Sequence, residues 1–104
     1  MVETDTKSRV YRFYHLNPDC TVAGPVTVRV IKGPSNGTLE IDSGPGYSGY
    51  PQDNARAKCN TVQTEVTNVW YRSNSNFTGQ DESEVEAFFT TGSSIRTKLV
   101  ITVK

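Results

Sequence analysis

"VEAFFTTGSSIRTKLVITV", residues 85–103, decides how the rest of the chain is read. In its first half Val85, Ala87 and Phe89 fall at every second position. In its second half Ile95, Leu99, Ile101 and Val103 do the same, with Thr97 between them. Strand side chains alternate between two faces, whereas a helix would repeat its apolar residues at i, i+3, i+4 and i+7. Gly92 separates the halves, so the spacing predicts an antiparallel hairpin. Its register is constrained, because a core-facing residue must lie opposite another. A two-residue loop at Gly92-Ser93 would set Glu84 against Ile101, a charge against a core residue. A three-residue loop from Thr91 to Ser93 pairs Val85 with Leu99, Glu86 with Lys98 and Phe88 with Arg96, and is the expected register.

Just upstream, "NFTGQDESE" (residues 76–84) brings in Asp81, Glu82 and Glu84, with Glu86 beyond. Glu82, Glu84 and Glu86 alternate with smaller residues and so line one face of a strand, neighbours about 7 Å apart. Calcium takes about six to eight oxygens converging on one point, usually from a bent loop. A straight strand spreads its carboxylates instead. These glutamates therefore read as a solvated face beside Arg96 and Lys98, with no metal ligand assigned. Gly79 and Asp81 read as a structural turn, the aspartate accepting hydrogen bonds from backbone amides.

Alternation recurs further out. "VTVRV" (26–30) places Val26, Val28 and Val30 on one face, and "TLEI" (38–41) does so with Leu39 and Ile41. Between them "KGPSNG" (32–37) carries Gly-Pro and Asn-Gly, a hairpin signal. "RVYRFYHL" (9–16) is an earlier strand, stopped by Asn17-Pro18. "TVQTEVTNVWYR" (61–72) is a later one. The segment "DSGPGYSGYPQDNARAKCN" (42–60) has no sustained alternation and reads as a long loop, or a loop holding one short strand. Such loops are often functional or tethered. About seven strands with regularly spaced turns predict an all-β fold, an antiparallel β-sandwich.

Composition narrows the class. The 104 residues carry 11 basic and 11 acidic side chains, with no basic cluster, so neither nucleic acid nor an anionic membrane surface is an expected partner. The longest apolar runs are about five residues, against roughly 20 for a membrane helix, and no membrane insertion is expected. Met1 is followed by polar "VETDTKS", read as a mature form with an added start methionine. Residues 1–8 are expected to be a flexible tail and residues 9–104 one domain. Cys20 and Cys59 lie in no CxxC, and the single histidine, His15, leaves no zinc-ligand set. A Cys20–Cys59 disulfide is expected, worth roughly 3–4 kcal/mol in the chain-entropy account. It places the chain in an oxidising compartment, periplasmic or extracellular.

"YRSNSNFTGQDESEVEAFFTTGSSIRTKLVITV" resembles the C-terminal half of bacterial cadherin-like, immunoglobulin-like repeats. Their pattern is Tyr-x-Pro, a short loop, Phe-x-Gly-x-Asp, an alternating strand, a glycine turn and a final strand. Tyr71, Phe77, Gly79 and Asp81 sit on it. "GPSNGTLEI" is similar to the family's earlier hairpin at Pro34, Gly37, Thr38 and Leu39. Together these cover about half the chain. Ser73 stands where the family has proline, and the cysteine pair is atypical of the tandem repeats. The chain looks like a small stand-alone secreted member. The resemblance implies an immunoglobulin-like Greek-key sandwich with Tyr71 facing the core, in a surface or periplasmic setting. It implies no catalytic residues.

With Tyr71 inward, Trp70 faces out or lies under the long loop, which carries Tyr47 and Tyr50. Those three aromatics are the candidate binding residues, a platform for a sugar ring or a protein partner. The alternative is that they pack as a satellite core. The expected function is non-catalytic binding of a protein or glycan through this aromatic loop surface, with no cofactor. A small enzyme inhibitor inserting the same loop is the second reading. A carboxylate hydrolase at Asp81, Glu82 and Glu84 is the third; it would need two carboxylates facing across a cleft.

Overall fold

A computed structural model describes residues 1–104, and six strands form: Ser8–Phe13 (β1), Thr27–Lys32 (β2), Gly37–Gly46 (β3), Thr64–Ser73 (β4), Gly79–Phe88 (β5) and Ser94–Val103 (β6). A single 3-10 turn spans Ala57–Thr61. The strands build two three-stranded sheets, β1-β4-β3 and β2-β5-β6, and every pairing within them is antiparallel. Alternation explains where the core lies. Phe13, Val69 and Tyr71 point inward from the first sheet; Val85, Ala87, Leu99, Ile101 and Val103 point inward from the second. These eight residues form one buried cluster, and Val28 and Leu39 pack against it.

The count is six strands, not about seven. The difference lies in the segment expected to be loop from Asp42. β3 runs on through Asp42, Ser43, Gly44 and Pro45 to Gly46, which pairs with Thr64. Turn-rich composition hid this strand because its pairing with β4 outweighs local propensity. Pro45 is tolerated because β3 is an edge strand and needs no outward donor.

"KGPSNG" does not form a hairpin. β2 and β3 lie in different sheets, and residues 33–36 carry the chain across. Both oxygens of Asp81 hold this crossing, accepting the backbone N–H of Ser35 at 3.0 Å and of Asn36 at 3.1 Å. Gly37 serves close approach: a Cβ there would lie 2.6 Å from the Arg72 carbonyl and 2.7 Å from the Tyr71 ring.

β5 and β6 do form the expected hairpin, but two positions out of the expected register. Val85 lies opposite Thr97, Glu84 opposite Lys98 and Glu86 opposite Arg96. The loop has three residues, Thr90 to Gly92, one position earlier than expected. Phe89 donates to the Ser93 carbonyl at 3.0 Å and Gly92 donates back to Phe89 at 3.0 Å. Gly92 has φ 91°, the left-handed position that ends such a loop and that glycine adopts most readily. A two-residue slip keeps every side chain on its expected face.

Residues 2–4, expected to be part of a flexible tail, make backbone hydrogen bonds to the end of β6. Val2 forms a parallel bridge with Val103. Its N–H donates to the Thr102 carbonyl at 2.9 Å and its carbonyl accepts from Lys104 at 2.9 Å. The Thr4 hydroxyl donates to the carbonyl of Lys104 at 2.7 Å.

Candidate functional site

Three connections meet at one end of the molecule: residues 14–26, 47–63 and 89–93. Cys20 and Cys59 are disulfide-bonded with their Cα atoms 5.3 Å apart, joining the first two. The His15 ring meets Phe89 edge-on at 5.4 Å, joining the first to the third. Gly24 is also close to the third, since a Cβ there would come within 2.5 Å of Thr90 Oγ1.

The long loop is built rather than draped. Asn60, next to Cys59, is its clamp. Its Oδ1 accepts from Ser48 Oγ at 2.8 Å and from the Tyr50 N–H at 2.9 Å, and its Nδ2 donates to the Tyr50 carbonyl at 2.9 Å. Arg12 Nε donates to the Tyr47 carbonyl at 2.7 Å, and Arg56 Nε to the Leu16 carbonyl at 2.8 Å. The Tyr50 hydroxyl accepts the Leu16 N–H at 3.3 Å, and its ring meets Tyr14 edge-on at 5.0 Å. Leu16, Cys59 and Val66 are also buried, outside the main cluster. Tyr50 therefore packs, while Tyr47 keeps 49% of its surface exposed. On the rim, the Thr21 hydroxyl and then the Thr21 N–H hold the Asp19 carboxyl below its ordinary pKa.

Beside the loops lies a cleft of about 210 Å³ whose lining includes Phe13, His15, Val22, Ser43, Glu65 and Thr67. The Thr67 hydroxyl is engaged with the Val26 carbonyl at 3.3 Å. His15 Nδ1 is buried without a protein hydrogen-bond partner.

Trp70 lies elsewhere. Its neighbours Val69 and Tyr71 point into the core, so the indole lies on the opposite face of β4. It is half-buried there. Its Nε1 donates to Asp42 Oδ1 at 2.9 Å, and the Asn68 amide donates to the same oxygen at 3.1 Å. These two donors, the indole first, hold the Asp42 carboxyl below its ordinary pKa. Lys7 Nζ sits 4.9 Å from the ring centroid and is ion-paired with Glu40 at 3.3 Å. Of the three candidate aromatics, Trp70 is fixed on a sheet face by Asp42, Tyr50 packs against Tyr14, and Tyr47 is exposed with its carbonyl held by Arg12.

Asp81 is a strand residue, 3% exposed, rather than a turn residue. Besides Ser35 and Asn36 it accepts the Tyr71 hydroxyl at 2.7 Å and the N–H of Glu82 at 2.9 Å. Burial, then the hydrogen bond to Asp81 and its charge, push the Tyr71 phenol well above its ordinary value. Gly79, at the start of β5, has φ 124°. Glu82, Glu84 and Glu86 face outward and pair with cations on β6: Lys98 with Glu82 at 3.5 Å, Arg96 with Glu84 at 3.5 Å and with Glu86 at 3.6 Å. No three histidine, cysteine, aspartate or glutamate side chains are grouped as a metal site would need.

Sequence reasoning did not find Arg12, Asn60 or the Asp42–Trp70 contact. The one signal within reach was Asn60, an amide beside the cysteine that anchors its loop. No protein-family model, curated protein or solved structure matches this chain.

Proposed function

We propose that this protein is an exported, non-catalytic binding module that engages a protein partner through its disulfide-anchored loop end, with Tyr47 at the centre of the contact. One observation carries this reading. A loop with half-exposed Tyr47 at its end is fastened by a disulfide, by Asn60 and by two arginines, although it adds nothing to the main core. A surface fixed before binding loses less entropy on association, and an exposed tyrosine on it is a frequent anchor. Export is supported by the disulfide, which persists in oxidising compartments.

The fold behind this reading is an immunoglobulin-like Greek-key sandwich. Its support is the strand order of the two sheets, the crossings between them at β1–β2, β2–β3 and β4–β5, and the Val2 bridge to β6. The hydrolase reading has less support, since the outward glutamates are paired with cations and Asp81 is enclosed by donors.

The test is affinity capture from the organism's own envelope extract, read by quantitative mass spectrometry. Wild type and Trp70→Ala should retain the same partner, and Tyr47→Ala should lose at least tenfold of it. Equal capture by Tyr47→Ala, or loss confined to Trp70→Ala, would move the contact off the loop end.

A further inference from the structure

A second surface lies on the flank of the molecule, away from those loops. β1 and β6 are edge strands of their respective sheets, and between them runs a groove of about 410 Å³. Val10, Tyr11, Leu99 and Ile101 give it an apolar floor; Arg9 and Lys98 are the charged residues in its lining, and no carboxylate is among them. Val100 remains exposed at its margin, by 54%.

The backbone of β6 is available along this groove. Thr102 O and Lys104 N already face that side, because they bond to Val2. Along a strand paired through its odd-numbered residues on the other side, every second residue directs both its N–H and its C=O the same way. Val100 and Lys98 therefore present their backbone groups to the groove as well. Val2 demonstrates what the edge accepts: an extended residue, parallel to β6, opposite Val103.

We propose that this groove takes an extended segment of a partner protein as an added strand, parallel to β6 and in register with Val2, apolar at alternate positions and acidic between them. Positions opposite Leu99 and Ile101 face inward onto the apolar floor, so apolar side chains belong there. Positions opposite Lys98 and Val100 face solvent beside Lys98, while the Arg9 guanidinium is taken up by Asn68 Oδ1 at 3.4 Å. Lys98 pairs with Glu82 at 3.5 Å but is largely exposed, and its ammonium has donors to spare for a second carboxylate. A second copy of this chain fits less well in antiparallel registers centred on Thr97 or Lys98, which set cations of two molecules opposite one another.

The experiment uses the whole protein and a synthetic peptide of alternating valine and glutamate, seven residues long and capped at both ends. Backbone amide spectra and hydrogen exchange are recorded on titration. The peptide should bind saturably, shift Val100, Lys98 and Thr102, and slow exchange of the Val100 and Lys98 amides at least tenfold. The same peptide with lysine for glutamate should bind at least tenfold more weakly. Val100→Pro removes the central donor on a free edge, where proline is tolerated, and should weaken binding at least tenfold. Lys98→Glu leaves the backbone intact and should reverse the preference between the two peptides. No binding, equal binding of both peptides to wild type and Lys98→Glu, shifts confined to β2 or the loop end, or dimerisation through β6 in sedimentation would each overturn the proposal. These readouts are independent of Tyr47, so failure here leaves the loop-end reading standing.

Discussion

The Tyr71 hydroxyl donates to Asp81 Oδ2 at 2.7 Å and so joins the central strand of one sheet to the central strand of the other inside the core. The same carboxylate holds the crossing at Ser35 and Asn36. Truncating a hub costs more than truncating one of its spokes, because several buried donors are orphaned at once. Tyr71→Phe is expected to lose about 1–3 kcal/mol and Asp81→Ala more than about 3 kcal/mol, read by urea unfolding. A smaller loss for Asp81→Ala would show that the carboxylate is not the organising group.

The same pair sets an alkaline limit. The folded-state pKa of Tyr71 is raised, so its contribution is fully present below the unfolded tyrosine value, about 10, and is lost as pH rises beyond it. Stability should fall above about pH 10 more steeply in wild type than in Tyr71→Phe. Parallel alkaline limbs for the two proteins would contradict this.

Acid acts on the other face. Asp42 has a depressed folded-state pKa, so its contribution is present above the ordinary aspartate value and is lost as pH falls through the lowered one. Trp70 is the only tryptophan, and its indole donates to that carboxylate. Trp70 fluorescence should change with a midpoint below about pH 4 while the strands persist by circular dichroism. Asp42→Asn should abolish the transition; a midpoint unaltered by that substitution would detach it from Asp42.

Two glycines offer a matched comparison. A Cβ at Gly37 would press on the Arg72 carbonyl and the Tyr71 ring, whereas at Gly33 it would meet nothing within 4 Å. Gly37→Ala is expected to cost about 1–3 kcal/mol and Gly33→Ala less than about 0.5 kcal/mol in thermal unfolding. Similar values for both would mean that the crossing relaxes around the added methyl.

Removing the disulfide should loosen one end more than the whole. Cys20 and Cys59 are 39 residues apart, and releasing a loop of that size is expected to cost roughly 4 kcal/mol. In Cys20→Ser/Cys59→Ser, amide exchange should rise first in residues 47–63 and around Leu16. Uniform acceleration across β4 and β5 would instead tie the bond to the main core.

What could be read from the amino acids alone was whatever obeys a period of two. Val85, Ala87, Leu99 and Ile101 announced their strands and their faces, and those faces are the ones observed. The hairpin register slipped by two because Gly92 closes the loop instead of sitting at its middle, a matter of one backbone angle. The continuation of β3 through Asp42–Gly46 was hidden by glycine and proline, which report local preference and say nothing of a partner strand. At the candidate site, the Cys20–Cys59 link was legible by count. The contacts that fix Trp70 at Asp42 and Tyr47 at Arg12 were not, since they join residues far apart in sequence. Asp42 beneath the indole is 28 residues away in sequence, and no spacing rule reaches that far.

The parallel bridge between Val2 and Val103 puts both chain ends side by side, near Phe77 and Ser73. The fastened loops sit at the far tip of β4, a ten-residue strand and so about 30 Å away. A tether or fused domain joined after Lys104 would hold the molecule by its base and leave the loops at the opposite end. One linker at that end is therefore enough to display the loops on a bead or sensor chip without covering them.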